Sequence, residues 1–282
     1  MSAAAHAQPA TPAAKPPPQA LNWAADDGTR VANLETRGDH SEGTHVVVWV
    51  PAGSMSGAER QALVERLDRG VRALRELIGT HEWQIVRDQK ITYYVSADQF
   101  ISHATGRAAV LIPLARLQDG RAPFLHEAGH ELLARASIGS VSPQRRIQNP
   151  LWLMEGLADY VGQTAAAQAG MVEGDVFAVG GLGGVDRTCA TRLGGPIGED
   201  ISRFMGAPGG PPALFTTDRQ TVAPTFYACA FSFTKFLVGR IGLQETIALM
   251  PLIPADGVHA RIELLATKPM SAIRAEWLAA IK

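Results

Sequence analysis

The sequence is short of cysteine, carries almost no net charge and contains no long apolar run. Its only two cysteines, Cys189 and Cys229, lack the spacing of a metal-binding pair. A net charge of −1 gives no electrostatic reason to expect nucleic acid or an anionic membrane as a partner. No apolar run approaches the roughly 18 residues of a membrane span. What remains has the composition of an ordinary globular protein, 46% apolar and 19% charged.

The amino terminus lacks the residues that a packed core requires. Residues 1–22 are rich in alanine and proline and are predicted to form a disordered tail. Ala5-His6-Ala7 has the small-x-small pattern of a signal-peptidase site, although no basic and apolar regions precede it. We therefore expect the remnant of a signal peptide and a periplasmic or secreted protein, with a cytoplasmic protein as the alternative. In an exported protein the two cysteines could pair, which would contribute about 4 kcal/mol.

The first part of the remaining chain alternates between strand and helix patterns. Runs of β-branched and aromatic residues indicate strands, and Pro113 suggests that the last of them lies at a sheet edge. Apolar residues at helical spacing predict a helix that is capped by Ser56 and ends near Ile78, before Gly79. The predicted strands are 45–50, 85–86, 91–95 and 108–114.

From Ala122 onward the pattern is helical. The predicted helices are 122–136, 151–169, 227–242, 243–250 and 271–281. Between them, the glycine- and proline-rich residues 180–224 are predicted to form a long loop with a short helix near Ile201. The whole pattern predicts an α+β fold, with an α/β lobe at 23–137 and a helical lobe at 138–282.

One stretch of the helical region carries chemistry. Phe124-Leu125-His126-Glu127-Ala128-Gly129-His130 contains the pattern His-Glu-x-x-His. On a helix, His126 and His130 share one face roughly 6 Å apart, where both imidazoles can reach one zinc ion. Glu127 then lies beside the metal, able to take a proton from a zinc-bound water. The alternative is an amphipathic helix with two incidental histidines.

A tetrahedral catalytic zinc needs a third protein ligand, and the next helix offers candidates. The stretch 151–161 reads Leu-Trp-Leu-Met-Glu-Gly-Leu-Ala-Asp-Tyr-Val, with Glu155 and Asp159 one helical turn apart. Their apolar neighbours speak against the alternative, a solvated helix face. The longer zincin motif is absent, because Leu133 and Ala136 occupy the positions of its glycine and third histidine.

Together the two stretches resemble the gluzincin metallopeptidases, specifically the peptidase MA-like group, whose second helix reads Trp-Leu-x-Glu-Gly-Leu-Ala-x-Tyr. The resemblance covers about residues 90–250. It implies a zincin-like fold with a zinc cleft between the two lobes. It also implies Zn²⁺ held by His126, His130 and Glu155, with Asp159 accepting a hydrogen bond from the other nitrogen of His126.

The same resemblance implies roles outside the metal set. The helix at 227–242 is similar to the group's Tyr-x-x-Ala-x-Ser-x-x-x-Tyr-Leu helix, with Phe236 in place of the second tyrosine. Related zincins place a phenol there, so Tyr227 is expected to hydrogen-bond the oxyanion, with plain packing as the alternative. An edge strand at 108–116 is expected to pair with an extended substrate, with a purely structural strand as the alternative.

The resulting expectation is a zinc metalloprotease, a hydrolase in which Glu127 and Tyr227 are catalytic and the partner is a peptide or protein substrate. The Gly-x-Met-Glu-Asn motif of aminopeptidase-N-like gluzincins is missing, which favours an endopeptidase over an aminopeptidase. The alternatives are a non-cleaving zinc-binding interaction module of the same fold and a hydrolase of non-peptide amides. The presence of Glu127 favours an enzyme, because a structural zinc needs no general base. Side-chain specificity and oligomeric state stay open.

Overall fold

A computed structural model describes residues 26–134, 150–199, 201, 214, 216, 218–252 and 255–282. The described part has an α+β fold in which all strands precede residue 114. The predicted tail at 1–22 lies outside the described residues. Helical residues occur at 198–199 and 201, where a short helix is predicted, and the described residues extend no further there.

The sheet has five strands in the order β1-β2-β3-β5-β4. The three central strands, β2, β3 and β5, are parallel, and the outer strands β1 and β4 run antiparallel to their neighbours. Every second residue of β2 is fully buried, as expected for a strand with one face on a core. The strands are β1 Asp39–Glu42, β2 Val46–Val50, β3 Ile91–Ser96, β4 His103–Ala104 and β5 Ala109–Pro113.

Ten helices are defined in the described residues. The predicted helix at 56–78 is confirmed: the Ser56 hydroxyl accepts from the Glu59 N–H at 3.2 Å, and the Glu59 carboxylate accepts from the Ser56 N–H at 2.7 Å. The helices are α1 Asp27–Arg37, α2 Gly57–Ile78, α3 Leu114–Gln118, α4 Phe124–Leu132, α5 Leu151–Gln168, α6 Gly181–Leu193, α7 Arg219–Ile241, α8 Leu243–Ile247, α9 Ala255–Ala266 and α10 Met270–Ala280.

Two strand predictions are wrong. Residues 85–86 form a loop, in which the Ile85 N–H donates to the carbonyl of Ala134 rather than to a strand. Strand β5 is not the sheet edge, because the two residues of β4 pair with Val110 and Leu111. Pro113 needs no edge position, since it ends β5 where α3 begins. Two-residue strands such as β4 leave almost no pattern in a sequence.

The loop prediction for 180–224 is also wrong, because α6 and the start of α7 fall within it. Glycines lower helix propensity, but tertiary contacts override that preference in α6. Its Cys189 is bonded to Cys229 of α7, with Cα atoms 4.8 Å apart. Its Asp186 accepts hydrogen bonds from Ser232 and Lys235 of α7 at 2.8 and 2.7 Å. The side chains of α7 thus hold a helix that local sequence disfavours.

Helix α7 is mostly apolar and forms part of the core. By length and composition alone it could cross a membrane, but 67% of its most apolar window is buried inside the protein. Phe226, Phe231 and Phe233 are fully buried, and Phe233 packs on Trp152 of α5 with ring centroids 4.8 Å apart. Burial on this scale is typical of the core helix of a globular protein.

Helix α5 is the centre of the packing, since it contacts α2, α4, α6 and α7. One continuous cluster of buried apolar residues runs from the sheet through α2, α4 and α5 to α7 and α10. Gly156 permits the crossing of α5 and α7, because a Cβ there would overlap the carbonyl oxygen of Ala230 and the hydroxyl of Thr234. A glycine in the middle of this helix is therefore required by packing.

We expect Gly156→Ala to lower the free energy of unfolding by about 1–3 kcal/mol, because α5 and α7 must separate to admit the methyl group. Gly183→Ala in α6 is the matched control: a Cβ there meets nothing within 4 Å. It should be neutral or stabilise by up to about 1 kcal/mol through helix propensity. Urea unfolding of both variants would measure this, and equal stabilities would contradict the packing argument.

Candidate metal centre

A buried acidic side chain binds the N-terminal turn of helix α4. Glu173, in the segment after α5, accepts hydrogen bonds from the N–H groups of Leu125 and His126 at 2.7 and 3.0 Å. These are two of the N–H groups that the first turn of any helix leaves unpaired, and negative charge is favourable there. Burial raises the pKa of Glu173 to about 8, although the two N–H donors oppose the shift. Glu173 thus fixes the turn that carries His126.

A second buried carboxylate ties the other end of α4 to the sheet. Glu131 is fully buried and accepts from the N–H groups of Thr105, Gly106 and Ala108 at 2.6, 2.7 and 2.8 Å. These residues form the connection between β4 and β5. Burial raises the pKa of Glu131, and the three donors oppose that shift. Helix α4 is therefore held at both ends by contacts that no local pattern encodes.

Helix α5 lies directly against α4 because each helix has a glycine at the contact. A Cβ at Gly162 would stand 2.9 Å from the backbone nitrogen of His126. On α4, Gly129 faces Ala158 and Val161, and a Cβ there would stand 3.3 Å from the Val161 side chain. This close approach brings the carboxylates of α5 within reach of the histidines of α4.

Three side-chain atoms converge where the two helices meet. The Nε2 atoms of His126 and His130 are 3.1 Å apart, and the carboxylate of Glu155 lies 3.5 and 3.3 Å from them. A tetrahedral metal ion with bonds of about 2.0–2.1 Å would separate its ligand atoms by roughly 3.3 Å. The three atoms thus have the spacing of three corners of such a site, and they could hold a metal ion.

The charges of His126 and Glu155 are already complementary. Burial disfavours a charged imidazole, but Asp159 and Glu155 outweigh it and hold the pKa of His126 well above its usual value. Burial likewise disfavours the Glu155 carboxylate, but His130 and His126 outweigh it and hold its pKa below the usual value. A metal ion bound here would therefore displace a proton from His126.

Asp159 orients the first histidine. Its Oδ1 lies 2.7 Å from Nδ1 of His126, which leaves Nε2 directed at Glu155 and His130. The other oxygen, Oδ2, is buried and has no hydrogen-bond partner in the described part of the chain. An outer carboxylate of this kind fixes the ring and makes the imidazole a better ligand. The sequence-based expectation for Asp159 agrees with this contact.

His126, His130 and Glu155 border a cleft with about 870 Å³ of empty space, part of it open to solvent. The cleft is also lined by Glu127, Tyr227 and the segment 174–177. Tyr227 lies in the third turn of α7, not at its start as predicted, because the helix begins at Arg219. Its ring is 6.3 Å from that of His126 and stacks on Phe177 at 4.5 Å. Nη2 of Arg219 donates to its hydroxyl oxygen at 2.9 Å.

Sequence reasoning brought together His126, Glu127, His130, Glu155, Asp159 and Tyr227, and all six line this cleft. It missed Glu173 and Glu131, whose partners are distant in sequence, and Arg116 and Arg219, which also line the cleft. The available signal was the position of Glu131, a charged residue directly before the apolar Leu132 and Leu133.

The chain matches no protein-family model and no curated protein. Any function must therefore be argued from the residues of the cleft.

We expect Asp159→Ala to weaken metal binding about 10–100-fold, because His126 loses the group that orients it. Asp159→Asn is the matched control, since its amide oxygen can still accept from Nδ1 of His126. This variant should lose less affinity for the metal ion than Asp159→Ala. Competition of the metal-stripped proteins with a chromophoric chelator would give both affinities. Equal affinities in wild type and Asp159→Ala would contradict this role.

Glu173 should make stability depend on pH. Its folded pKa of about 8 exceeds the ordinary 4.5, so the folded state holds a proton between these values that the unfolded state has lost. Its contribution is complete below about pH 4.5 and is lost as the pH rises through about 8. We expect the free energy of unfolding of the metal-stripped wild type, minus that of metal-stripped Glu173→Gln, to fall from pH 5 to pH 9. Urea unfolding of both proteins would test this, and a constant difference would refute it.

Proposed function

We propose that this protein is a zinc-dependent metallopeptidase of the gluzincin type. The observation that carries the proposal is the convergence of two imidazole nitrogens and one carboxylate at tetrahedral spacing, with a second carboxylate, Glu127, beside them. Two histidines and a glutamate are a ligand set typical of catalytic zinc, because a structural zinc site is usually closed by four protein ligands. Three ligands leave one position for water or substrate.

A zinc ion held by His126, His130 and Glu155 would supply a Lewis acid that polarises the scissile carbonyl and lowers the pKa of water. The protein's part is to orient the imidazoles, which Asp159 does for His126 through its contact with Nδ1. The packing of α5 on α4 fixes the position of Glu155, the third ligand, relative to the two histidines.

Glu127 is suited to move protons. It is buried, faces the cleft, and in the described structure its carboxylate has neither a hydrogen bond nor an ion pair. The other acids at the ligands are engaged, Glu155 with both histidines and Asp159 with His126. Glu127 is thus free to take a proton from the attacking water and deliver it to the leaving amine.

Tyr227 is suited to donate a hydrogen bond to the oxyanion. Burial raises the pKa of Tyr227 above its usual value, so the phenol keeps its proton. Arg219 donates to the phenol oxygen, which leaves the hydroxyl hydrogen available for another acceptor. Stacking on Phe177 holds the ring in place. A fixed donor of this kind stabilises the charge that develops during acyl transfer.

The position of the sheet edge also supports a zincin-like arrangement. Because β4 rather than β5 is the edge strand, an extended substrate would pair with β4. Ile101 and Ser102, which directly precede β4, line the cleft. An extended peptide could therefore add to this edge by main-chain hydrogen bonds while its scissile bond lies at the ligands. This arrangement suits cleavage within a chain, so we favour an endopeptidase.

The disulfide favours an oxidising compartment, and we propose a periplasmic or secreted location with the cytoplasm as the alternative. A non-cleaving zinc-binding module is the second candidate function. That function gives no reason for a buried carboxylate beside the ligands that has no side-chain partner among the described residues, so the enzyme accounts for Glu127 better.

The test is the zinc content of the wild type and of Glu127→Gln, together with cleavage of a mixed peptide library. We expect one zinc per chain in both proteins and a loss of cleavage of about 100-fold or more in the variant, because only the proton acceptor is removed. Zinc in both proteins without cleavage in either would favour the binding module. Wild type that binds no zinc, even when supplied with it, would refute the proposal.

A further inference from the structure

The cleft contains a guanidinium that forms no ion pair with any side chain of the described residues. Arg116 belongs to α3, between β5 and the metal-site helix, and lines the cleft with Glu127 and His130. Its Nη1 donates to the hydroxyl of Ser102 at 2.7 Å, and no carboxylate within the described residues pairs with it. A guanidinium has five N–H donors, so most of its hydrogen-bonding capacity is unused. A half-buried cation without an anion is costly.

The acidic residues of the cleft have other partners. Glu155 and Asp159 are engaged with the histidines. Both oxygens of Asp175 accept backbone N–H groups, from Val179 and Gly180 at 2.8 and 2.9 Å. Glu127 is the remaining acid of this wall, and it makes no ion pair with Arg116. Within the described residues, Arg116 therefore has no carboxylate at ion-pair distance.

A second arginine of the same cleft is held rigidly. The Arg219 guanidinium lies over the rings of Phe177 and Tyr227, 5.7 and 5.4 Å from their centroids, and donates to the carbonyl of Leu214 at 3.2 Å. Its charge and that of Arg121 both act on Arg116, as does the opposite charge of Glu127. Two arginines thus line this part of the cleft, and the contacts of Arg219 preorganise its guanidinium.

We propose that Arg116, supported by the charge of Arg219, binds a carboxylate of the substrate close to the scissile bond. The proposal rests on the peptidase function above and names its substrate class: peptides with an anionic group beside the bond that is cut. A planar fork of N–H donors is well matched to a carboxylate. The carboxylate belongs either to an acidic side chain or to the carboxyl terminus of the peptide.

The experiment uses zinc-loaded full-length protein and pairs of fluorogenic peptides that differ in one negative charge. In one arm, Glu replaces Gln on either side of the scissile bond and the carboxyl terminus is amidated. In the other arm, the side chains are neutral and a free carboxyl terminus replaces the amide. We expect kcat/KM to favour the acidic member about 10-fold or more in one arm, which identifies the source of the carboxylate.

The variants separate the charge of Arg116 from the shape of its donors. Arg116→Gln should bring the acid-to-neutral ratio close to one, and Arg116→Lys should retain part of it, because the charge remains without the fork. Arg72→Gln is the matched control: it removes an arginine that is 63% exposed and does not line the cleft, and it should leave the ratio unchanged. Since each ratio is measured on one protein preparation, a loss of folded protein cancels.

A binding measurement separates this inference from the peptidase proposal. Zinc-loaded Glu127→Gln is titrated with the same peptides, with and without Arg116→Gln. Tighter binding of the acidic peptides that disappears with Arg116→Gln supports the subsite, even if no peptide is cleaved. Cleavage of neutral and acidic peptides at equal rates would overturn the subsite while leaving the peptidase standing. An acid preference that survives Arg116→Gln would also overturn it.

Discussion

The site depends on how closely α5 approaches α4. Glycines at 129 and 162 remove the side chains that would otherwise separate the two backbones, and Gly156 does the same where α5 crosses α7. Only at this distance can a carboxylate on α5 reach two imidazoles on α4 with atoms 3.1–3.5 Å apart. In the Glu-Gly-Leu-Ala-Asp stretch, Gly156 thus permits the close packing of α5 on α7, while Glu155 and Asp159 contact the histidines. The same few residues determine both the helix packing and the geometry of the candidate metal site.

Charge is the second organising constraint. Four buried acidic side chains lie in helix α4 or against it, where they cap it, anchor it to the sheet and contact its histidines, and each would be costly without a partner. Glu131 and Glu173 accept from backbone N–H groups, and Asp159 and Glu155 contact imidazoles. A divalent cation at the three ligand atoms would balance the negative charge gathered there.

Much of the candidate site could be predicted from sequence, because its chemistry follows helical periodicity. His126 and His130, and likewise Glu155 and Asp159, are one turn apart, so local spacing places each pair on one face. The cap at Ser56 and the end of α2 at Gly79 could also be predicted, because both depend on residues that are close together in the sequence. Glu173 and Arg116 could not, because their roles arise from contacts with residues that are distant in the chain. Helix α6 could not either, because its glycines disfavour a helix until Cys229 and Lys235 hold it in place.

The central claim is that His126, His130 and Glu155 bind one zinc ion together. The most direct test is anomalous diffraction at the zinc absorption edge from crystals of the zinc-loaded protein. The account predicts one strong peak about 2.0–2.2 Å from Nε2 of both histidines and from a carboxylate oxygen of Glu155. A zinc peak elsewhere, or one that contacts the histidines while Glu155 lies apart, would contradict it.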